Sequence, residues 1–164
     1  MLMIRRRWKF MPCLGVMFLI AGCVSTPQAS RTGGMKLKLG IEESGNMAAY
    51  YTVAADGTIG FGGGLDARFE RIAWTGIMQD EEVAKLISLI EQHQLYDRKP
   101  VGTGEPKSLK WRFELSGPGG WSRSRLTGKC PILREIYDLL NTISRRRFEG
   151  VMETLPKPGE PGKN

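Results

Sequence analysis

Histidine and cysteine are scarce in this chain of 164 residues, which contains one histidine, His93, and three cysteines, Cys13, Cys23 and Cys130. No group of His, Cys and Asp residues has the spacing of a zinc or iron site, so the sequence predicts no metal and no cofactor. Beyond residue 22, no segment approaches the run of about 18 apolar residues that a membrane-spanning helix needs. Any domain in this region is therefore predicted to lie outside the bilayer.

The first 22 residues have the three parts of an export signal. A basic cluster at residues 5–9 precedes an apolar stretch at residues 10–21, and small residues follow at the cleavage point. That stretch is too short to cross a bilayer as a helix. It ends in Ile20-Ala21-Gly22-Cys23, and the whole segment resembles the signal peptide and lipobox of bacterial lipoproteins.

This resemblance implies that residues 1–22 are removed and that Cys23 becomes a lipidated N-terminus carrying acyl chains such as palmitate. Each buried methylene contributes about 0.8 kcal/mol, so two or three chains hold a protein stably on a membrane. The mature protein is therefore expected in the cell envelope, facing the periplasm. By resemblance to the lipoprotein sorting rule of Gram-negative bacteria, Val24 in place of Asp favours the outer membrane over the inner membrane.

Processing would change the charge and the cysteine content of the chain. Four of the 24 basic residues lie in the signal segment, so 20 would remain against 17 acidic residues, an excess of three. This small excess and the predicted export both argue against a nucleic-acid partner. With Cys23 lipidated, Cys130 would be the one remaining thiol, so the mature chain could form no internal disulfide.

Composition divides the mature chain into three parts. Residues 23–34 are small and polar and are interpreted as the lipidated N-terminus and a flexible tether. Residues 35–150 are predicted to form a single domain. Residues 151–164 are rich in proline and glycine and are interpreted as a disordered tail.

Alternating apolar and polar residues predict strands in the first half of the domain. Residues 35–39 alternate Met and Leu with Lys, which is typical of a half-buried strand. Residues 49–54 are rich in aromatic and β-branched side chains. An Asp-Gly pair at 56–57 and a return strand at 58–61 complete a predicted hairpin. A further strand is predicted at 69–74.

Apolar residues spaced three and four apart predict two helices. The first is expected to begin with Asp80 as its N-cap, and the second to have Pro131 in its first turn. Between them, residues 109–115 and 121–127 form a predicted hairpin with its turn at 117–120. The order ββ(ββ)α-ββα predicts an α+β fold in which an antiparallel sheet carries two helices on one face.

Cys130 is the candidate for thiol chemistry, because it follows Lys129 and precedes a predicted helix N-terminus, and both features favour a thiolate. A buried cap residue is the alternative interpretation. His93 has no identifiable nucleophile or metal partner and is interpreted as a surface residue. Glycine clusters at 60–64 and 102–107 lack the full spacing of a phosphate loop and are interpreted as flexible hairpin ends.

The second predicted hairpin carries a candidate binding face formed by Lys110, Arg112, Arg123 and Arg125. The alternation places all four cations on one side of the two strands. Such a patch would attract anionic lipid headgroups, acidic glycans or an acidic protein surface. The alternative is that these cations only keep an exposed sheet soluble and protect its edge. An arginine run at 145–147 adds positive charge after the second helix.

The sequence as a whole predicts a lipid-anchored protein of the cell envelope. Its domain is interpreted as a non-catalytic binding or structural module, with the membrane as one partner through the anchor. The other partner would be an envelope protein or an anionic polymer. The alternative is an envelope enzyme or thiol-reactive protein that uses Cys130.

Overall fold

A computed structural model describes residues 30–43 and 46–149. The predicted signal peptide, the predicted lipidation site Cys23 and the predicted tail at 151–164 lie outside these residues. Six strands are present: β1 (Lys36–Glu43), β2 (Asn46–Val53), β3 (Thr58–Gly63), β4 (Trp74–Ile77), β5 (Leu109–Gly117) and β6 (Gly120–Thr127). Three helices accompany them: α1 (Leu65–Arg68), α2 (Asp80–Gln92) and α3 (Pro131–Ser144).

All six strands form one antiparallel sheet in the order β4-β3-β2-β1-β5-β6. The long helices α2 and α3 pack on one face, here called the inner face, and share one hydrophobic core with it. The opposite face is called the outer face. The predicted α+β fold, with an antiparallel sheet and two helices on one side, is confirmed.

The core forms where the alternating strand residues meet the apolar stripes of the helices. Leu37 and Leu39 on β1 and Phe113 on β5 are at most 1% exposed, as the two-residue period requires. The helices contribute Val83, Leu86, Ile90, Leu133, Ile136, Leu140 and Ile143. Burial of this apolar surface is the main favourable term in folding, at roughly 25 cal/mol per Å² removed from water.

The start of α2 differs from the prediction by one residue. The N-cap is Gln79 and not Asp80, which is the first helical residue. The backbone N–H of Gln79 donates a hydrogen bond of 2.7 Å to the Glu82 carboxylate, so Glu82 partners an amide that the helix itself leaves free. At α3 the prediction is confirmed, since Pro131 is the first helical residue and Cys130 is the N-cap.

The strand predicted at 69–74 is wrong. The chain leaves β3, forms the single turn of α1, and passes back over the outer face before β4 begins at Trp74. Gly62 makes this possible, since a Cβ atom there would lie 2.0 Å from the carbonyl oxygen of Arg71. The glycines at 60–64 are therefore not a flexible hairpin end. They form the end of β3 and the entry to α1, and they let the segment 65–73 lie against the sheet.

The second glycine cluster, at 102–107, is also held in place. The backbone N–H of Gly104 donates to the carbonyl of Thr127 at 3.1 Å, and that of Thr103 donates to Lys129 at 2.9 Å. A Cβ atom on Gly102 would lie 2.5 Å from the Thr127 oxygen. The cluster is therefore a loop that follows the end of β6 closely, which differs from the flexible hairpin end expected from the sequence.

Residues 30–34, which fall within the predicted tether, are attached to the domain. Thr32 is buried, and its hydroxyl oxygen lies 2.8 Å from the Met35 carbonyl oxygen and 2.9 Å from that of Ala55. In the described part of the chain, none of the helices is both long enough and apolar enough to cross a membrane.

Candidate binding face on the sheet

The four predicted cations lie together on the outer face. In the β5–β6 hairpin, Arg112 lies directly opposite Arg125, and Lys110 lies opposite Thr127. Arg123 precedes Arg125 by two residues on β6, so its side chain projects from the same face. The long helices leave this face uncovered, because they pack on the other side of the sheet. The alternation therefore located the cations correctly.

Carboxylates interrupt this positive face. Arg123 Nε lies 2.8 Å from Glu114 Oε1, and Lys110 Nζ lies 3.6 Å from Glu42 Oε1. Lys38 on β1 also approaches Glu114, at 3.4 Å. Glu114 and Glu42 share the two-residue period of the cations, so strand pairing would have revealed them. The face is an ordered array of both signs and not a purely basic patch.

A third carboxylate reaches the face from outside the strands. Glu70, in the segment that follows α1, places Oε1 2.8 Å from Arg112 Nη1. Its backbone adopts φ 53°, which is uncommon for a residue other than glycine. No local pattern predicts this contact, since 42 positions separate the two residues. Tertiary folding alone creates it.

Arg125 differs from the other three cations in its surroundings. Among the residues that the structure describes, Arg125 forms no ion pair or hydrogen bond, whereas Lys110, Arg112 and Arg123 each face a carboxylate. Exposed ion pairs of this kind contribute only about 0–1 kcal/mol each to stability. Their main effect is to hold long side chains in defined positions, which leaves Arg125 as the available cation of the four.

Two shallow hollows adjoin on this face and share Arg112 and Arg125. The larger, about 370 Å³, extends over Gly40 towards Lys110. The smaller, about 170 Å³, extends towards Tyr50. Burial, followed by the charges of Glu70 and Glu114, raises the pKa of Tyr50 above its ordinary value, although Arg112 acts in the opposite direction. The phenol therefore keeps its proton at neutral pH.

An exposed aromatic side chain extends the same face. Trp121 is 65% exposed and lies two residues before Arg123 on β6, so both project from the outer face. Sequence analysis did not assign Trp121 to the candidate face. Trp121 lies on the edge strand β6 at the same two-residue spacing as Arg123 and Arg125, and this pattern could have identified it.

The arginine run at 145–147 serves the fold. Arg146 forms an ion pair with Glu82 and donates to the Ile77 carbonyl at 3.2 Å. The Arg147 guanidinium lies 4.0 Å from the ring centre of Phe61. These contacts connect the end of α3 to the start of α2 and to β3. Two of the three arginines therefore stabilise packing, and the positive charge expected there is largely engaged.

Cys130 and His93 line separate hollows. Cys130 is 2% exposed, and the hollow beside it, of about 320 Å³, is lined mainly by apolar groups together with Lys129 and Arg134. Among these lining residues there is no histidine or carboxylate. His93 Nε2 instead lies 3.9 Å from a Glu135 oxygen. The described structure thus places Cys130 buried at the N-cap of α3, with no histidine or carboxylate among the residues that line the adjoining hollow.

Neither a metal site within the described residues nor a match to a known protein identifies this face. Within residues 30–43 and 46–149, no three His, Cys, Asp or Glu side chains come together in a way that could hold a metal ion. No protein-family model matches the chain, and no curated protein matches it either.

Proposed function

We propose that this chain is a lipid-anchored protein of the cell envelope, whose domain binds an envelope protein or an anionic polymer through the outer face. The domain acts by binding and not by catalysis. In this proposal Cys23 holds the protein on the membrane, and the face around Arg112, Arg123 and Arg125 engages the partner.

One observation carries the proposal, namely the ordered array of exposed charges on strands that the long helices leave uncovered. Pairing of β1 with β5 and of β5 with β6 fixes the position of each charge along the sheet. An alternating arrangement of both signs selects a partner by complementarity more sharply than a uniform positive patch does. Trp121, 65% exposed beside the arginines, adds apolar area of the kind that often anchors interfaces.

Charge reversal tests this proposal directly. The variant carries Arg112→Glu, Arg123→Glu and Arg125→Glu, and its partners are captured by crosslinking in intact cells. Partner recovery is expected to fall about tenfold or more, since like charges facing each other across an interface cost several kcal/mol. Circular dichroism should show an unchanged fold, because the ion pairs lost are exposed ones.

A matched variant tests whether partner recovery depends on where the charges are reversed or only on the net charge of the chain. Lys85→Glu, Arg98→Glu and Lys99→Glu change the formal charge by the same amount at exposed positions in and after α2. This variant is expected to recover the same partners as the natural chain. Equal recovery by the outer-face variant, or equal loss in both variants, would count against the outer face as the binding surface.

A further inference from the structure

The larger hollow on the outer face has a defined construction. Arg112 lies opposite Arg125 on one side and opposite Gly40 on the other. Directly opposed residues of an antiparallel pair have Cβ atoms about 4.5–5.5 Å apart, so the two arginines start from adjacent points. Gly40 has no side chain, so β1 places no side chain directly opposite Arg112. The hollow of about 370 Å³ opens there.

The charges around this hollow are unbalanced. Lys110, Arg112 and Arg125 line it, against the single carboxylate of Glu42. That carboxylate is directed to Lys110, at 3.6 Å, while Arg112 pairs at 2.8 Å with Glu70, which does not line this hollow. Like charges directly opposed across a strand pair are destabilising, and no described carboxylate meets Arg125. A bound anion would reduce this repulsion and supply Arg125 with a partner.

We infer that the hollow between Arg112 and Arg125 binds a phosphate-type oxyanion, either free or as part of a larger envelope molecule. Guanidinium groups present planar forks of N–H donors that match phosphate oxygens. The Arg125 fork, with Arg112 and the Lys110 ammonium beside it, suits a tetrahedral anion, which offers more acceptor oxygens than a carboxylate does. The inference rests on the proposed function and specifies the ligand class for the outer face.

The position of Arg123 provides a matched control. Arg123 and Arg125 lie two residues apart on β6, project from the same face and are both exposed. They differ in that Glu114 meets Arg123 at 2.8 Å. Replacing either by glutamine removes one positive charge and keeps a side chain of moderate length. An effect of nearby positive charge alone would therefore be equal in the two variants.

The experiment is a titration of the full chain, in a nonionic detergent, with inorganic phosphate at constant ionic strength. Side-chain N–H signals of Arg112 and Arg125 are followed by NMR. Saturable chemical-shift changes are expected for the natural chain. Phosphate should bind at least tenfold more weakly to Arg125→Gln, whereas its affinity for Arg123→Gln should change less than about twofold. Equal weakening in both variants would overturn the inference, because it would show a diffuse charge effect.

Vesicles distinguish a free phosphate from a lipid headgroup. Co-sedimentation with phosphatidylglycerol and with phosphatidylcholine vesicles is compared for the same two variants, so any contribution of the lipid anchor is common to all samples. A preference for phosphatidylglycerol that Arg125→Gln abolishes and Arg123→Gln retains would assign the site to a headgroup. The inference fails if neither phosphate nor vesicle binding depends on Arg125.

The two proposals can fail separately. Partner capture that depends on the outer face, without any Arg125-dependent phosphate binding, would keep the proposed function and reject the phosphate site. Phosphate binding that depends on Arg125, with partner capture unaffected by the outer-face reversal, would keep the site and reject the proposed function.

Discussion

At the scale of single residues, environment separates side chains of the same type. Arg147 lies over the Phe61 ring and stabilises packing, while Arg123 is held by a carboxylate. Arg125 has neither kind of partner among the described residues. An arginine without an internal contact is the one most available for a ligand, so these residues differ in role despite identical chemistry.

Tyr51 shows the same dependence on environment in the core. It is fully buried, its ring packs 5.2 Å from that of Phe61 between centres, and its hydroxyl lies 3.3 Å from Asn141 Oδ1. Burial is the main cause that raises the pKa of Tyr51 from 10.0 to about 12. In the unfolded chain the same phenol ionises near its ordinary value.

This difference between the folded and unfolded pKa of Tyr51 lowers the free energy of unfolding in alkaline solution. Between pH 10 and about 12 the unfolded Tyr51 loses its proton while the folded Tyr51 keeps it. The contribution of Tyr51 to the free energy of unfolding is fully present below pH 10. It is lost as the pH rises towards 12, and the loss amounts to up to about 3 kcal/mol. Urea unfolding measured across this pH range should show a clearly smaller decline in the free energy of unfolding for Tyr51→Phe than for the natural chain. An identical decline in both proteins would contradict the prediction.

At the scale of elements, β3 and the segment that crosses it depend on each other. Gly62 lies under that segment, and an added Cβ would meet the Arg71 carbonyl oxygen at 2.0 Å. Ala73 N–H in turn donates to the Phe61 carbonyl at 2.8 Å. Because Gly62 carries no side chain, α1 and the segment after it can pack against β3. This packing brings Glu70 within reach of Arg112.

Gly62→Ala is accordingly expected to lower the free energy of unfolding by about 1–3 kcal/mol, the usual range for overpacking against an unyielding neighbour. Faster native-state hydrogen exchange is expected at Ala73, because the crossing segment must move away. Gly63→Ala is the matched control, since its nearest contact is the movable end of the Phe61 ring, at 3.1 Å. Similar stability of the two variants would refute the role assigned to Gly62.

The two long helices depend on their termini as well as on their apolar faces. Glu82 accepts the Gln79 N–H and also pairs with Arg146. One carboxylate thus contributes both to the start of α2 and to the connection with the end of α3. The sequence indicated a helix start at Asp80, and only the packed helices show the contact of Glu82 with Arg146.

At the scale of the whole molecule, the proposed lipid anchor would decide which partners the outer face can meet. A single acyl chain holds a protein only marginally, whereas two or three hold it stably. The wild-type protein is expected to have an intact mass corresponding to a chain that begins at an acylated Cys23, and to fractionate with membranes. Cys23→Ala should be released from membranes or remain unprocessed. An unmodified full-length chain in the cytoplasm would overturn the proposed location.

The sequence by itself determined the local elements of this fold. Alternation identified β1 and β5, the spacing of apolar residues identified α2 and α3, and the turn residues identified both hairpins. Each of these signals involves neighbours only a few positions apart, and core burial rewards the same pattern that local geometry favours. For the same reason, the four cations could be assigned to one face before their surroundings were known.

Tertiary structure alone decided the position of β1 between β2 and β5, the path of residues 65–73 and the contact of Glu70 with Arg112. These features join residues that lie far apart in the chain, where no local period links them. The strand predicted at 69–74 failed because glycines in β3 let the next segment lie on the sheet instead of extending it. The charge arrangement of the outer face was set in the same way, since long-range strand pairing brought Glu42 opposite Lys110 and left Arg125 without a carboxylate among the described residues.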